Sequence, residues 1–576
     1  MSKKNLLYIP LSAAAAALGT LVLADLANWP QDSGYLLCWP IALGLAGIGN
    51  IQFFKEGDRR AKWCFGVLGV LFVITLGLGW RLEAVDETGW ASFVLCAFLG
   101  LCWGPAAGWY GLVLARWLER QKEGRQGTKQ TFWFVWGVLI LCWLPVVIAY
   151  FPGITGYDMD AQEWQIISGY YNAHHPILHT LFIGLFYNLL GPTIGYGVHT
   201  VLQVLMLSAA IAYAMAWLRK IRTPDGLWIA LMFFFALSPQ HAIMAVSGTK
   251  DILFAAAMLV VCVEVCRMLT EPDRSKNTAV ILADVAVIAL TGMLRNNAVY
   301  GMALMWIVAL VFFRRNLGKR FLAVLLAGIV AGSWGTDAIN KAVNAGGTSI
   351  REMMSIPCQQ LARVYYKYGT SLPVGYEIPE LLPDAENYKP DRSDYTKRSA
   401  KVIPNDRLIR FAKLWGREAL NHPIEYIDAF LLNTKGFWYL ADHTFATTYD
   451  EIEGSPIGCM VLKHIDSLQV EAPWMMPKLR EVYYHLFTLN GYRTFVPGWM
   501  LLHPALYTWL LGFMIAWFIW RRRGAPLMAC AILLGYLLTL LLGPCAIIRY
   551  QYDLMLAGPV ILVFQSGRRY QQEAWK

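Results

Sequence analysis

The chain has 576 residues, 57% of them hydrophobic and only 15% charged, with a mean hydropathy of +0.43. A soluble chain of that length would divide into several domains with charged surfaces, so the long apolar runs point to lipid. The formal net charge of +10 is parcelled out among short loops, which argues against nucleic acid. The eleven cysteines fall mostly inside apolar runs, which argues against a disulfide framework.

The N-terminus, with Lys3 and Lys4 ahead of the alanines at 13–17, resembles a signal peptide with a cleavage site near 24–27. It reads better as an uncleaved first helix. A bilayer crossing takes about 20 apolar residues. Such runs lie near 7–26, 34–54, 62–80, 91–115, 131–150, 196–217, 226–241, 251–267, 278–294, 298–313, 320–336, 500–520, 526–545 and 552–567. The fold class expected is therefore all-α and polytopic, with about fourteen transmembrane helices. The 24 Trp and 28 Tyr suit the hydrocarbon–water boundaries, where an apolar ring with one polar atom belongs.

Basic residues set the orientation. Lys3 and Lys4, then 55–62, 116–129, 219–222, 267–276, 314–320, 521–523 and 568–576 collect Lys and Arg on one face. The opposite short loops carry only Arg81, Lys250, Arg295 and Arg549. Both termini are thus expected in the cytoplasm and 337–499 outside. The apolar run 176–190 would span roughly 22 Å, short of a core of about 30 Å, so it is read as an interfacial helix within an outward loop 151–195. The expected organisation is four accessory helices over 1–130, a core over 131–336, a small, mainly helical cap over 337–499, and C-terminal helices over 500–576. Cys358 and Cys459 share the cap and could pair there.

Ionisable residues at outer helix ends are costly and so mark function. After Pro152 and Gly153 end a span, Tyr157, Asp158, Asp160, Gln162 and Glu163 follow. A carboxylate against an apolar wall is expected to have a raised pKa, which suits a general base. His174, His175 and His179 come next, with His175 and His179 one helical turn apart. That spacing suits a metal, or hydrogen bonds to a phosphate or sugar. A divalent cation on Asp158, Asp160, His175 and His179 is thus one alternative. Asp-x-Asp can also hold a metal on a nucleotide sugar, but such donors are cytoplasmic and this loop is outward. Lys250-Asp251 reads either as a self-neutralising pair or as an anion site. Arg295-Asn296-Asn297 occupies a tight outward turn, and Arg549-Tyr550 another outer end. Three basic groups on a cation-poor face suit an anionic lipid headgroup. In the cap, Ser355–Gln360 ends in the amides Gln359 and Gln360, and 433–439 supplies aromatics of the kind that stack on sugars. No phosphate-binding G-x-x-x-x-G-K-[ST] loop, H-E-x-x-H or G-x-S-x-G motif is present, nor the paired broken helices of secondary transporters.

In these features the sequence resembles the GT-C glycosyltransferase superfamily. Within it the chain is similar to a bacterial branch of unknown function, distantly like the protein mannosyltransferases and aminoarabinose transferases. The residues carrying the resemblance are Pro152, Gly153, Tyr157, Asp158, Gln162, 174–180, Lys250, Asp251, 295–297, 355–360 and Arg549-Tyr550, over roughly 130–567. The resemblance implies a bacterial plasma-membrane enzyme. It would move a sugar, with inversion, from a polyprenyl-phosphate donor to an extracytoplasmic glycan, lipid or protein. Asp158 would act as base, and Asp160 would orient the acceptor or hold a metal. Lys250, Arg295 and Arg549 would face the lipid phosphate, and His174 and His175 the phosphate or sugar. A flippase for lipid-linked glycans and a polysaccharide polymerase or ligase are the alternatives.

Overall fold

The computed structural model describes residues 10, 12–19, 33–155, 157–312, 319–348, 350–371, 375–402, 404–441, 454–455, 460–461, 468–487 and 501–567. Lys3, Lys4, Cys459, the tail 568–576 and most of the expected span 7–26 lie outside the described residues, as does the side chain of Tyr157.

The chain is a helical bundle with a helical cap. In order come α1 (Ser33–Lys55), α2 (Arg59–Val85), α3 (Trp90–Glu119), α4 (Gln130–Ala149), α5 (Tyr157–Ser168), α6 (Ile177–Leu190) and α7 (Pro192–Lys220). They are followed by α8 (Asp225–Leu237), α9 (Pro239–Ala245), α10 (Lys250–Thr270), α11 (Thr278–Leu294), α12 (Ala298–Phe312) and α13 (Lys319–Ala342). The cap adds α14 (Ser355–Tyr368), α15 (Asn405–Asn421), α16 (Pro423–Trp438) and α17 (Pro477–Phe487). The chain then returns to the bundle with α18 (Pro504–Arg521), α19 (Gly524–Leu540) and α20 (Tyr552–Phe564). Among the described residues the one sheet is an antiparallel pair of two-residue strands, Gly454–Ser455 with Met460–Val461.

Among the described residues, six helices are long and apolar enough to cross a bilayer: α2, α3, α4, α7, α10 and α13. A seventh span is obtained if α8 and α9 are joined. That pair, expected as one helix over 226–241, is instead bent by 52°. Pro239 supplies no N–H to continue the ladder and holds Ser238 in an extended conformation. The other apolar helices, α6, α11, α12 and α19, are shorter. Their buried faces pack closely. Gly301 of α12 and Gly535 of α19 let the two backbones meet, and a Cβ on Gly301 would lie 2.8 Å from Ile532 O.

The loops gather at two opposite ends. At the basic end Arg116 pairs with Glu56 at 2.7 Å, Arg521 and Arg523 converge on Glu119, and Lys220 meets Glu271 at 3.0 Å. At the other end Ile154 bridges to Ser247, Asn172 to Gly346 and Arg392 to Cys545. The site described below lies at this second end.

The cap has its own apolar core, built on Leu361, Val364, Leu381, Phe411 and Leu414. A buried clamp ties it to the α2–α3 loop. Asp428 accepts from Thr88 N at 3.1 Å and from Thr88 Oγ at 2.5 Å, and pairs with Arg363 at 3.5 Å. Asp428→Ala removes one of the two carboxylates beside the buried Arg363, which keeps Asp86 at 3.6 Å and Tyr388 Oη at 3.2 Å, and the expected loss is about 2 kcal/mol, read as a lower melting temperature in detergent. The aromatics at 433–439 are part of this docking and are not offered to a sugar. Phe437 and Tyr439 are buried, Tyr439 fills a notch over Gly79, and its hydroxyl donates to Glu83 at 3.0 Å.

Candidate functional site

Two backbone devices deliver Asp158 to its partners. Pro152 and Gly153 end the approach from α4, and Gly153 has φ +145°, a conformation that favours glycine. Ile154 then pairs with the 246–248 segment, its N–H on Val246 O at 2.8 Å and its carbonyl accepting from Gly248 N at 3.0 Å. Tyr196 caps the same carbonyl at 2.9 Å, and Gln203 holds the carbonyls of Ala245 and Ser247 at 2.9 and 2.7 Å. The first turn of α5 therefore starts beside the first turn of α10.

An ion cluster forms there. Lys250 Nζ donates to Asp158 Oδ2 at 2.6 Å and to His175 Nδ1 at 3.1 Å. Arg549, from the short turn after Ile547, donates to the same Oδ2 at 3.1 Å and to Asp251 Oδ2 at 3.3 Å. Asp251, with its side chain fully buried, also pairs with Arg295. The Arg295 guanidinium lies among the rings of Tyr550, Tyr536 and Phe254, at 4.9, 5.6 and 5.8 Å from their centroids. The Arg549 guanidinium also lies by the Tyr550 ring, 5.1 Å from its centroid. Lys250, Arg295 and Arg549 against Asp158 and Asp251 leave one positive charge in excess.

Several expectations change at this point. Lys250 and Asp251 do not neutralise each other: Lys250 goes to Asp158 and Asp251 to the two arginines. Adjacent residues on a helix point about 100° apart, which gives each its own partners. The Asp158 pKa is lowered, not raised. Burial alone would push it up, but the charges of Arg549 and Lys250 hold it well below the usual carboxylate range. Both cations sit on Oδ2, and among the described residues Oδ1 makes no hydrogen bond. Asp158 thus has one anchored and one open oxygen.

His175 is buried. Desolvation first, and then the Lys250 charge, bring its pKa from 6.5 down to about 3. A lysine can only donate, so Nδ1 accepts and the ring proton sits on Nε2. The unfolded chain takes up a proton below about 6.5 that the folded one refuses until about 3. His175 therefore lends stability above that window that is lost as pH falls through it. Melting temperature is expected to drop between pH 6.5 and 4, and to drop less in His175→Gln.

The remaining candidates are placed elsewhere. Asp160 is exposed on α5, two residues from Asp158 and so on another side of the helix. His174 is exposed, its ring 4.6 Å from that of His175. Asn296 is exposed in the α11–α12 turn. Gln162 and His179 are fully buried, joined at 2.9 Å between α5 and α6. Glu163 accepts from Tyr187 Oη at 2.9 Å and Gln469 N at 3.0 Å, tying α5 to the cap. The amides of Gln359 and Gln360 are committed inside the cap. Gln359 holds the carbonyls of Lys389 and Pro390, and Gln360 lies between Trp415 Nε1 at 2.8 Å and Tyr426 O at 3.2 Å.

The metal alternative finds no support in this arrangement. His179 turns away to Gln162, and ammonium and guanidinium groups occupy the side of Asp158 that a cation would need. Among the described residues no three His, Cys, Asp or Glu side chains are grouped to hold a metal ion. Reading the sequence missed Tyr536, Phe254 and Gln203, which lie inside apolar helices. A ring or amide within a span carries no local mark of what it will touch.

The profile of a family described as a family of unknown function, DUF6020, matches residues 163–575. That stretch holds His175, Lys250, Asp251, Arg295 and Arg549, with Asp158 just ahead of it. No curated protein and no solved structure matches the chain.

Proposed function

The chain belongs to the DUF6020 family of unknown function, and from the ion cluster we propose that it is an integral membrane glycosyltransferase of the GT-C kind. On this reading about fourteen helices cross the bacterial plasma membrane, both termini are cytoplasmic, and the cluster faces outward. The donor is a polyprenyl-phosphate-linked sugar, and the acceptor is an extracytoplasmic glycan, lipid or protein.

The observation that carries the reading is the asymmetry of Asp158: Oδ2 fixed by Lys250 and Arg549, Oδ1 open. The acceptor hydroxyl oxygen attacks the anomeric carbon from the face opposite the phosphate. Its proton passes to Oδ1 as the new C–O bond forms. The bond from the anomeric carbon to the phosphate oxygen breaks, and its electron pair stays with the lipid phosphate. The excess positive charge of Lys250, Arg295 and Arg549 stabilises that developing anion with donors already held in place. The configuration inverts. A divalent cation has no fitting ligand set here, so no step passes through one.

Arg295→Ala is expected to weaken binding of a short-chain polyprenyl phosphate by about 30-fold, since a buried charge partner is worth about 2 kcal/mol or more, with the acceptor KM little changed. Equal weakening of both would count against a phosphate role. Mass spectrometry of cell-envelope glycans from a deletion strain should reveal one missing sugar, and an unchanged profile would remove the transferase reading.

A second reading, a flippase for lipid-linked glycans, draws on the broken pair α8–α9 and on Asp553, a carboxyl group buried within the bundle. Broken helices and intramembrane acids are common features of transporters. Proteoliposomes separate the two: transfer needs an acceptor and leaves the lipid phosphate in its leaflet, whereas flipping needs no acceptor.

A further inference from the structure

Directly behind the ion cluster, where α5, α6 and α7 meet the 245–249 segment, several buried polar side chains each keep at least one atom with no hydrogen-bond partner among the described residues. Gln162, His179, His199, Gln203, Thr200 and Thr249 are each no more than 2% exposed. Yet Gln162 Oε1, His179 Nε2, both ring nitrogens of His199, Thr200 Oγ, Gln203 Oε1 and Thr249 Oγ make no hydrogen bond among the described residues. They are neighbours. Gln162 Nε2 lies 2.9 Å from His179 Nδ1, and the His179 and His199 rings are 5.4 Å apart. The His199 ring stacks parallel to Tyr196, whose hydroxyl holds the Ile154 carbonyl. Thr200 Oγ faces Gly153, where a Cβ would come within 2.6 Å of it. Thr249 immediately precedes Lys250.

Buried polar atoms are almost always satisfied, and a group stranded in an apolar interior is destabilising. One or two such atoms occur in most proteins. A contiguous set at one junction, polar on several sides, is the setting in which buried water sits. A packed apolar ring would fill the place of His199 at lower cost if the region were dry.

We propose that these side chains enclose a chain of ordered water molecules behind Asp158, and that this chain carries the acceptor's proton away from the site. The proton that Asp158 Oδ1 takes from the acceptor hydroxyl passes to the first water. It then moves along waters and neutral imidazoles, each accepting one proton and releasing another, until it leaves as hydronium to the bulk water outside the membrane, and Asp158 is left ionised for the next turn. The water site stands on the buried polar atoms alone, whereas its use as a proton path rests on the transferase reading.

The test of the water is X-ray radiolytic labelling of the full chain in nanodiscs, read residue by residue by mass spectrometry. Hydroxyl radicals formed from internal water label adjacent side chains whatever their exposure. His179 and His199 are expected to be oxidised, while Met258 and Met305, also fully buried and intrinsically more reactive, stay unlabelled. Histidines as protected as those methionines would overturn the water site. The test of the path is kinetic. His199→Phe is expected to lower kcat by about tenfold or more with donor KM unchanged, and His199→Gln to recover most of it. A labelled chamber with full turnover in His199→Phe would refute the proton path. A labelled chamber in a wild-type chain that transfers no sugar from any polyprenyl-phosphate donor would sustain the water site and sink the transferase reading instead.

Discussion

Asp158→Asn is expected to reduce sugar transfer by about 10³-fold, within the range for losing a positioned general base, and at the same time to bind the donor more tightly. The two effects have opposite signs for one physical reason. The carboxylate that would take the acceptor's proton is also the anion that occupies Lys250 and Arg549 at rest. Removing its charge deprives the reaction of its base and releases two cations for the lipid phosphate. Asparagine keeps the shape and one acceptor oxygen, so Lys250 and Arg549 retain a hydrogen-bond partner and the fold should hold. The measurement is kcat against donor dissociation constant in purified protein, with size-exclusion elution as the folding control. A fall in kcat with weakened donor binding would mean that Asp158 is structural. Near-wild-type turnover would remove it as the base.

The same pair of roles predicts how acidity acts. With its carboxyl group held well below the usual range, Asp158 is ionised throughout the neutral region. The ion-pair stability it supplies is present above the ordinary carboxylate pKa and is lost as pH falls through the depressed value. Rate losses at pH 5–6 would therefore have to come from another group. On the proposed reading, a donor phosphate that drew Lys250 and Arg549 toward itself would weaken their hold on Oδ2, and Asp158 would become more basic as the donor arrived.

Much of this was legible in the amino-acid sequence because it follows from solvent. Hydropathy located the apolar helices of the bundle, six of them long enough to cross a bilayer, and several of the basic loops meet in ion pairs such as Arg116 with Glu56 and Arg521 with Glu119. Scarcity did the rest. Asp158, Lys250, Arg295 and Arg549 stand out because charged residues are rare at that end, and the fold brings them together. What could not be read was partnership. Lys250 ignores its sequence neighbour Asp251 in favour of Asp158, and Asp251 turns to arginines on α11 and beyond α19. The direction of the Asp158 pKa depended on that choice, since an apolar wall and two cations push oppositely. Gln359 and Gln360 misled for a related reason: paired amides look like ligand contacts until their acceptors, carbonyls far along the chain, are known. The break at Pro239 left a clear mark in the sequence, yet hydropathy averaged over the window ran through it.

Arg549→Gln is expected to be the more damaging change for the fold and comparable for turnover. Arg549 links the two halves of the cluster, a single guanidinium nitrogen lying between Asp158 at 3.1 Å and Asp251 at 3.3 Å. Its backbone is placed by the cap, because the segment before it is gripped by Ser393 N on Pro544 O at 2.9 Å and by Asn433 Nδ2 on Gly543 O at 3.0 Å. Without the guanidinium two carboxylates share Lys250 and Arg295, and the net charge of the cluster falls from one positive to zero. The expected cost is about 3 kcal/mol of stability, as for breaking a buried ion pair, and about 10²- to 10³-fold in turnover, as for losing one fixed donor to a developing anion. Arg549→Lys separates charge from shape. It restores the net charge and should recover the melting temperature, but an ammonium on a flexible stem lacks the planar group that lies beside Tyr550. Turnover should therefore recover much less than stability. If Arg549→Gln folded and bound a short-chain polyprenyl phosphate as the wild type does, the cluster would be an internal brace between cap and bundle and no anion site.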